Sequence, residues 1–366
     1  MKLLIDLFSF AIPMIILSWI LPKKYILLSQ IVITCLFVLY KSPISFIILT
    51  LITIGNFYVL HRSNFRESVK IATSIFFLII LIFIIKILLA IDHELLIPLG
   101  LSYYTFRNIH YTLEYFKGKI KNESLLLYFA YNFFLPVFMV GPINRYSEFV
   151  KDWHRRRFDA SYISAGLQRV LYGTSKIVII GNYLLTRTTS VLIENISPNY
   201  IWLKTYLESL RFVFNAFFQF AGYSDVAIGL SLLMGIRIIE NFNYPFFATN
   251  MRDFWTKYHM SLSSFCKDYI YTPIVSYFRK PMFGILATML VIALWHEISI
   301  RYLLWGVLQA LGIYLSSFFP NISKSILAKT LGSLFVINFF ALSCIVLSHD
   351  TLLSAFETYK IIFLFK

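Results

Sequence analysis

The sequence predicts an all-α, polytopic transmembrane helical bundle, on the strength of three observations. Of the 366 residues, 58% are apolar and only 14% are charged, whereas a soluble domain is about 45–50% apolar and about 25% charged. The mean hydropathy is +0.73. Apolar runs close to the roughly 20 residues that cross a bilayer recur along the chain, without the alternation of β-barrel strands. We therefore predict a single integral membrane domain over residues 1–366.

About eleven spans are predicted, with amphipathic or re-entrant helices among them. The first apolar run resembles a signal peptide, but it carries Asp6 and lacks a small-residue cleavage site, so we interpret it as a span. The stretch 98–116 predicts a further helix, tilted or re-entrant, and the stretches 142–161 and 241–281 are too polar to span. The spans lie near residues 3–21, 25–40, 42–60, 71–91, 125–141, 163–183, 200–220, 223–239, 282–298, 300–319 and 326–347.

The net charge of +15 would suggest a nucleic-acid partner in a soluble protein. In a membrane protein, Lys and Arg gather in cytoplasmic loops and meet anionic lipid, so we predict membrane lipid and no nucleic acid. Lys23 and Lys24 lie in one early loop and Arg62 in another, whereas the loops between them carry Lys41 alone and Asp92-His93-Glu94. The positive-inside rule then predicts an N-terminus outside the cytoplasm.

Several chemistries lack their motifs in this sequence. The three cysteines (Cys35, Cys266 and Cys344) form no CxxC pair, so neither a disulfide framework nor a metal site is predicted. There is no G-x-S-x-G elbow, no phosphate-binding loop and no Gly-rich dinucleotide turn. Histidine remains, and its pKa near neutrality suits general-base catalysis.

The stretch from Arg252 to Tyr271 predicts one amphipathic helix in or near the membrane interface. Its apolar positions, three or four residues apart, are Phe254, Tyr258, Leu262, Phe265 and Tyr269, and the adjoining stripe holds Trp255, His259, Ser263 and Lys267. Arg252, Asp253 and Asp268 flank this stripe. The spacing alone leaves two interpretations open: a functional helix, or a lipid-surface helix with His259 at headgroup level.

A second candidate site is Leu294-Trp295-His296-Glu297, which ends a span without charge from Met282 to Ala293. An ionisable residue at membrane depth usually faces a cavity or a partner. The alternative, an interface position with Trp295 as an aromatic anchor, stays equally open. Asp225, between two apolar runs, is predicted to cap the following helix.

Five segments together resemble the membrane-bound O-acyltransferase family, in its bacterial branch that modifies envelope and secreted polysaccharides. They are residues 98–106 (PLGLSYYTF), 141–145 (GPINR), 220–229 (FAGYSDVAIG), 241–271 (beginning NFNYPF and including FWTKYHMSLS and DYIY) and 294–296 (LWH). In the family's order, they cover a core of about residues 98–315.

The resemblance implies transfer of an acyl group, with acetyl favoured, from a cytoplasmic thioester to a hydroxyl of an extracytoplasmic polysaccharide or to a partner protein that passes it on. The donor would be acetyl-CoA or an acyl-carrier-protein thioester, used as a substrate, with no bound cofactor. The family's signature histidine falls on His296 and its second functional histidine on His259. We expect His296 to act as the general base and His259 to orient the thioester or stabilise the oxyanion, in a central tunnel.

The predicted substrate-binding residues are Arg252, Trp255, Ser263, Asp268 and Trp295. Three positions depart from the family pattern: Glu297 stands for a glycine, Tyr258 for a common tryptophan and Gln309 for a frequent histidine.

The resemblance implies a multi-pass protein of the bacterial cytoplasmic membrane. A polytopic transporter or flippase, or a non-catalytic subunit of a polysaccharide export system, is the alternative function.

Overall fold

The described part of the chain in the computed structural model (residues 2–91, 100–120, 124–318 and 325–364) is helical throughout, apart from its turns and one isolated β-bridge. The predicted all-α class is confirmed. The α-helices are α1 (Lys2–Ile20), α2 (Lys23–Lys41), α3 (Pro43–His61), α4 (Glu67–Ile91), α5 (Leu101–Phe116), α6 (Leu125–Asn132), α7 (Tyr146–Arg155), α8 (Ala160–Ser175), α9 (Thr189–Glu194), α10 (Ile201–Leu233), α11 (Met251–Lys257), α12 (Met260–Cys266), α13 (Thr272–Phe278), α14 (Pro281–His296), α15 (Ile300–Ser316), α16 (Ile326–Ser343) and α17 (Leu352–Leu364). Single turns of 3-10 helix occur at Leu135–Val137, Pro198–Tyr200, Pro245–Phe247 and Cys344–Leu347, and π-helical segments at Lys176–Thr188 and Lys267–Tyr271.

The chain forms two compact units. Unit 1 comprises Met1–Tyr172 and Tyr223–Ile239, and unit 2 comprises Gly173–Gly222 and Glu240–Lys366. The prediction of one membrane domain over the whole chain stays a prediction. The Asp92-His93-Glu94 loop and the first residues of the 98–106 segment lie outside the described residues.

Seven helices in the described residues are long and apolar enough to cross a membrane, and two shorter apolar helices, Pro281–His296 and Ile300–Ser316, accompany them. The polytopic character is therefore confirmed. These nine helices match nine of the eleven predicted spans, and the other two predictions differ for identifiable physical reasons.

The predicted spans 200–220 and 223–239 are one helix, α10, so the predicted boundary between them is wrong. Asp225 lies inside that helix rather than at its N-cap, and its carboxylate pairs with Arg169 at 3.1 Å. Because a partner guanidinium compensates the buried charge, the helix continues through the polar Tyr223-Ser224-Asp225 segment. The predicted cap is therefore wrong, whereas a structural role for Asp225 agrees with this ion pair.

The predicted span 125–141 is wrong because α6 ends at Asn132. A turn of 3-10 helix follows around Pro136, whose ring and missing N–H do not suit the interior of a helix. Asn132 is fully buried, and its Oδ1 accepts a hydrogen bond from Asn108 Nδ2 at 2.9 Å. Asn108 belongs to α5, so the helix predicted within 98–116 is present and packs in unit 1 through a polar contact.

Candidate functional site

The predicted amphipathic helix from Arg252 to Tyr271 is broken at Tyr258 and His259, so the prediction of one continuous helix is wrong. Helix α11 ends at Lys257, Tyr258 is extended, and His259 adopts the left-handed conformation with φ 48° and ψ 51° before α12 begins. A non-glycine residue in this region of φ/ψ space costs on the order of 1–3 kcal/mol and needs support from its surroundings.

Hydrogen bonds from a neighbouring segment hold this break. The backbone carbonyl of Asn241 accepts from the Met260 N–H at 2.9 Å, and the Asn243 N–H donates to the Lys257 carbonyl at 3.0 Å. The Asn241 side chain, which is fully buried, accepts a hydrogen bond from Ser261 Oγ at 2.8 Å. Asn241 therefore fixes the chain on the C-terminal side of His259 through both its backbone and its amide.

The imidazole of His259 lies in an aromatic pocket of unit 2 and is only 3% exposed. Its ring meets Phe220 edge-on at a centroid distance of 4.7 Å and Trp295 at 5.9 Å. The sequence left open a lipid-surface helix with His259 at headgroup level. The burial of the imidazole does not fit that interpretation. Burial disfavours the charged imidazolium, and a positive charge on His296 would disfavour it further.

Trp295 contacts both candidate histidines. Its ring centroid lies 4.4 Å from that of His296, the next residue, and 5.9 Å from that of His259. One indole thus joins the end of α14 to the break between α11 and α12. The two histidines that the sequence singled out separately belong to one cluster.

His296 is the last residue of α14 and, unlike His259, has an exposed side chain. Its ring stacks on Tyr302 at 5.8 Å and meets Trp305 edge-on at 6.0 Å. Beside it, Glu297 pairs with Arg301 at 3.0 Å. The exposed His296 is therefore followed directly by a residue of a charged pair.

Glu297 occupies the position at which the family pattern has glycine, but its backbone does not require one. Its φ of −156° and ψ of 142° are those of extended backbone, which any residue adopts. The substitution therefore introduces no strain at the C-cap of α14. Its visible consequence is the pair with Arg301, which also donates to the carbonyl of His349.

Trp255 is held by a chain of buried hydrogen bonds that links three helices. Its Nε1–H donates to Gln309 Oε1 at 3.2 Å, and Gln309 Nε2 donates to Ser343 Oγ at 2.6 Å. Trp305 lies 6.0 Å from Trp255 and 6.0 Å from His296. Trp255 thus reaches the histidine cluster through Trp305.

The other predicted binding residues differ in their relation to this cluster. The Ser263 N–H donates to the His259 carbonyl and its Oγ to the Tyr258 carbonyl, at 2.9 and 3.2 Å. Arg252 is exposed and makes no hydrogen bond or ion pair with other described residues, while Asp268 is exposed in the Lys267–Tyr271 π-helical segment. Ser263 therefore supports the break, whereas among the described residues no hydrogen bond or ion pair joins Arg252 to the cluster.

Sequence reasoning did not identify Asn241, Tyr302 and Trp305 as parts of this cluster. Asn241 lies in one of the segments that carried the family resemblance, which is the only signal that pointed to it. Tyr302 and Trp305 follow His296 at six and nine residues in an apolar helix, where an aromatic residue is ordinarily a core residue. Their role becomes visible only when α15 packs beside α14.

Comparison with known proteins finds a matching family model and relatives with named activities. The family model of the membrane-bound O-acyltransferases matches residues 26–354. The chain is 31% identical to a probable alginate O-acetylase of Pseudomonas aeruginosa over 219 residues, which are 58% of this chain and 41% of that protein. It is also 31% identical to a teichoic acid D-alanyltransferase of Bacillus subtilis over 253 residues, 63% of this chain and 62% of the relative.

A peptidoglycan O-acetyltransferase of Helicobacter pylori is a further relative, 26% identical over 301 residues, which are 73% of this chain and 57% of that protein. The chain thus spans less than two thirds of the length of these curated relatives. The names of the three relatives have in common the transfer of an acyl group to a polymer of the cell envelope or surface.

Proposed function

Because the chain belongs to the membrane-bound O-acyltransferase family, we propose that it moves an acyl group from a thioester to a hydroxyl group of an envelope polysaccharide. The acyl group is acetyl, and the donor is acetyl-CoA or an acyl-carrier-protein thioester on the cytoplasmic side. The acceptor is the polysaccharide itself or an extracytoplasmic protein that passes the group on. The observation that carries the proposal is the contact of His259 and His296 with the same Trp295 ring.

In the proposed reaction, neutral His296 accepts the proton of the acceptor hydroxyl while its oxygen attacks the thioester carbonyl carbon. The carbon–sulfur bond then breaks, and the leaving thiolate takes the proton from His296. An alcohol is a poor nucleophile at neutral pH, so a positioned base contributes about 10²–10⁴-fold. The exposure of His296 suits a group that must meet a substrate hydroxyl.

His259 has a different part in the proposal because it is buried and rigidly held. A preorganised donor in a site without water stabilises a developing oxyanion more than a mobile one does. The strained backbone at His259, fixed by Asn241, supports such a fixed position. His259 would orient the thioester or stabilise the oxyanion, with Trp255 and Trp295 forming the apolar wall against which the thioester packs.

The protein is a multi-pass membrane protein, and we place it in the bacterial cytoplasmic membrane with its N-terminus outside the cytoplasm. The loop with Lys23 and Lys24 would then be cytoplasmic. The relatives named above are bacterial proteins with envelope or surface polymers as substrates, which supports this location.

The experiment that tests the function uses the purified protein in proteoliposomes with acetyl-CoA labelled in its acetyl group. An acyltransferase releases coenzyme A and puts the label on an added polysaccharide or on a co-purified partner protein. A transporter, flippase or assembly subunit leaves the donor intact. Because the acceptor is unidentified, the assay is repeated with membranes of the source organism as acceptor, and an intact donor in both formats would contradict the proposal.

A further inference from the structure

Unit 1 contains a polar cavity of about 560 Å³ that is not part of the histidine cluster. It is formed by α7, the loop that follows it, the start of α8 and the segment after α10. Cavities that bind small molecules have volumes of about 300–1,000 Å³. The lining residues are Lys151, Asp152, Arg155, Arg157, Asp159, Tyr162, Gly235 and Arg237.

The lining carries four cations and two carboxylates, so its formal charge is +2. Both carboxylates are engaged by neutral donors. Asp152 accepts the backbone N–H of Arg237 at 2.9 Å, and Asp159 accepts the N–H and the hydroxyl of Ser161 at 2.9 and 2.6 Å. These hydrogen bonds from Ser161, followed by the charges of Arg157 and Arg237, lower the pKa of Asp159.

Protein acceptors leave most of the hydrogen-bonding groups of the lining cations unused. Within the described residues, the side chains of Lys151, Arg155 and Arg157 form no hydrogen bond and no ion pair within 4 Å. The guanidinium of Arg237 lies over the Tyr162 ring at 4.7 Å, a cation–π contact that orients it. A guanidinium presents a planar fork of donors that matches phosphate oxygens.

Gly235 packs closely against the residues behind the cavity. Gly235 has φ of +75°, and a Cβ on it would lie 3.1 Å from Arg156 Cγ and 3.2 Å from the Trp19 ring. Arg156 lies 4.0 Å over that ring and donates to Ser18 and to the carbonyl of Met234. The end of α1 therefore packs behind the cavity, only a few residues before Lys23 and Lys24.

We propose that this cavity binds a phosphate ester on the cytoplasmic side of the membrane. The two sources of such a group are the nucleotide part of a coenzyme A molecule and the headgroup of an anionic phospholipid. The side follows from Trp19, because the Lys23–Lys24 loop that comes next is cytoplasmic by the positive-inside rule. Residues from two segments about 80 positions apart line this one cavity. Charges that only set the orientation of the chain in the membrane do not require such an arrangement.

The test compares two variants that remove the same charge from the same end of unit 1. R155Q/R157Q changes the cavity, whereas K23Q/K24Q removes two exposed lysines outside its lining. Each protein is reconstituted in neutral phosphatidylcholine nanodiscs and titrated with adenosine 3′,5′-bisphosphate. In parallel, native mass spectrometry measures the phosphatidylglycerol that each protein retains from mixed-lipid nanodiscs.

A nucleotide affinity at least tenfold weaker in R155Q/R157Q than in the wild type and K23Q/K24Q would identify the soluble phosphate ester. Selective loss of phosphatidylglycerol in the cavity variant would identify the lipid headgroup. Equal losses in both variants, or no binding of either probe by the wild type, would overturn the proposal. Neither probe is an acyl thioester, so the result does not depend on the proposed acyl transfer. A matching melting temperature checks the fold of each variant.

Discussion

The backbone of His259 is the clearest residue-scale departure from an ordinary helix. Its positive φ places an imidazole where glycine would be the unstrained choice. The chain retains histidine there, and Asn241 supplies the contacts that hold it. We interpret this as strain maintained for the side chain, which is typical of functional sites.

Two substitutions at this position separate the side chain from the backbone. His259→Ala and His259→Gly both remove the imidazole, and we expect both to lose acyl transfer. They differ in the left-handed conformation, which glycine adopts freely, so His259→Ala should be less stable than His259→Gly by about 1 kcal/mol. Thermal unfolding in detergent measures the difference. If the alanine variant is as stable as the glycine variant, the conformation of His259 is not strained.

Sequence reasoning found both histidines but not their geometry. Helical spacing pointed to His259, and the end of an uncharged span pointed to His296, each from its own segment of the sequence. No glycine or proline near His259 marks the break in the sequence. The contacts that hold the break come from Asn241 and Asn243 in another segment. A periodic apolar pattern through this stretch therefore predicted one helix where the structure has two.

At the scale of helices, Gln309 connects α11, α15 and α16 through Trp255 and Ser343. It is fully buried and stands where the family often has histidine. Its amide both accepts and donates, so one side chain satisfies the indole N–H and the hydroxyl of its neighbours. In this chain, the glutamine therefore connects the three helices.

We expect Gln309→Leu to destabilise the protein by about 1–3 kcal/mol, because it removes the acceptor of the buried Trp255 N–H and one of the two hydrogen bonds of the Ser343 hydroxyl. The matched control is Gln30→Leu in α2. Gln30 is also buried, but neither atom of its amide has a hydrogen-bond partner within the described residues. That control should be neutral or stabilising in thermal unfolding. Equal effects of the two substitutions would show that the Gln309 hydrogen bonds do not stabilise the packing.

Helix α10 shows why the span boundaries were harder to predict than the spans. A helix of 33 residues is about 50 Å long at 1.5 Å per residue, which exceeds the roughly 30 Å of bilayer hydrocarbon. Sequence windows of bilayer length divide such a helix at its polar middle. The pair between Asp225 and Arg169 keeps that middle helical, and a pair of residues 56 positions apart is invisible to a local pattern.

At the scale of the whole molecule, charge predicts how the chain crosses the membrane. Lys23 and Lys24 begin α2, whereas Lys2 begins α1, so opposite sides of the membrane are expected for Lys24 and Lys2. A cysteine in place of Lys24 should react with an impermeant maleimide only in inverted vesicles, and one in place of Lys2 only in intact cells. The reverse labelling pattern would contradict the predicted orientation. It would put the N-terminus in the cytoplasm and the proposed phosphate site outside it.

The apolar composition determined the membrane class, because too few charged side chains exist to cover a soluble globule of this size. The family resemblance supplied the chemistry, which composition could not. Only the structure showed that Trp295 contacts both histidines and that Tyr302 and Trp305 pack against His296. These contacts depend on the packing of α14 against α15 and on the interruption of the helix between α11 and α12. Neither feature produces a periodic pattern in the sequence.

The central claim is that His296 is the base of an acyl transfer, and the most direct measurement compares His296→Ala with His154→Ala. His154 is an exposed histidine of α7 in unit 1, so its removal controls for the loss of an imidazole. At equal protein levels in membranes, transfer of label from acetyl-CoA to the acceptor should fall about 10²–10⁴-fold in His296→Ala and stay unchanged in His154→Ala. Wild-type transfer by His296→Ala would contradict the account.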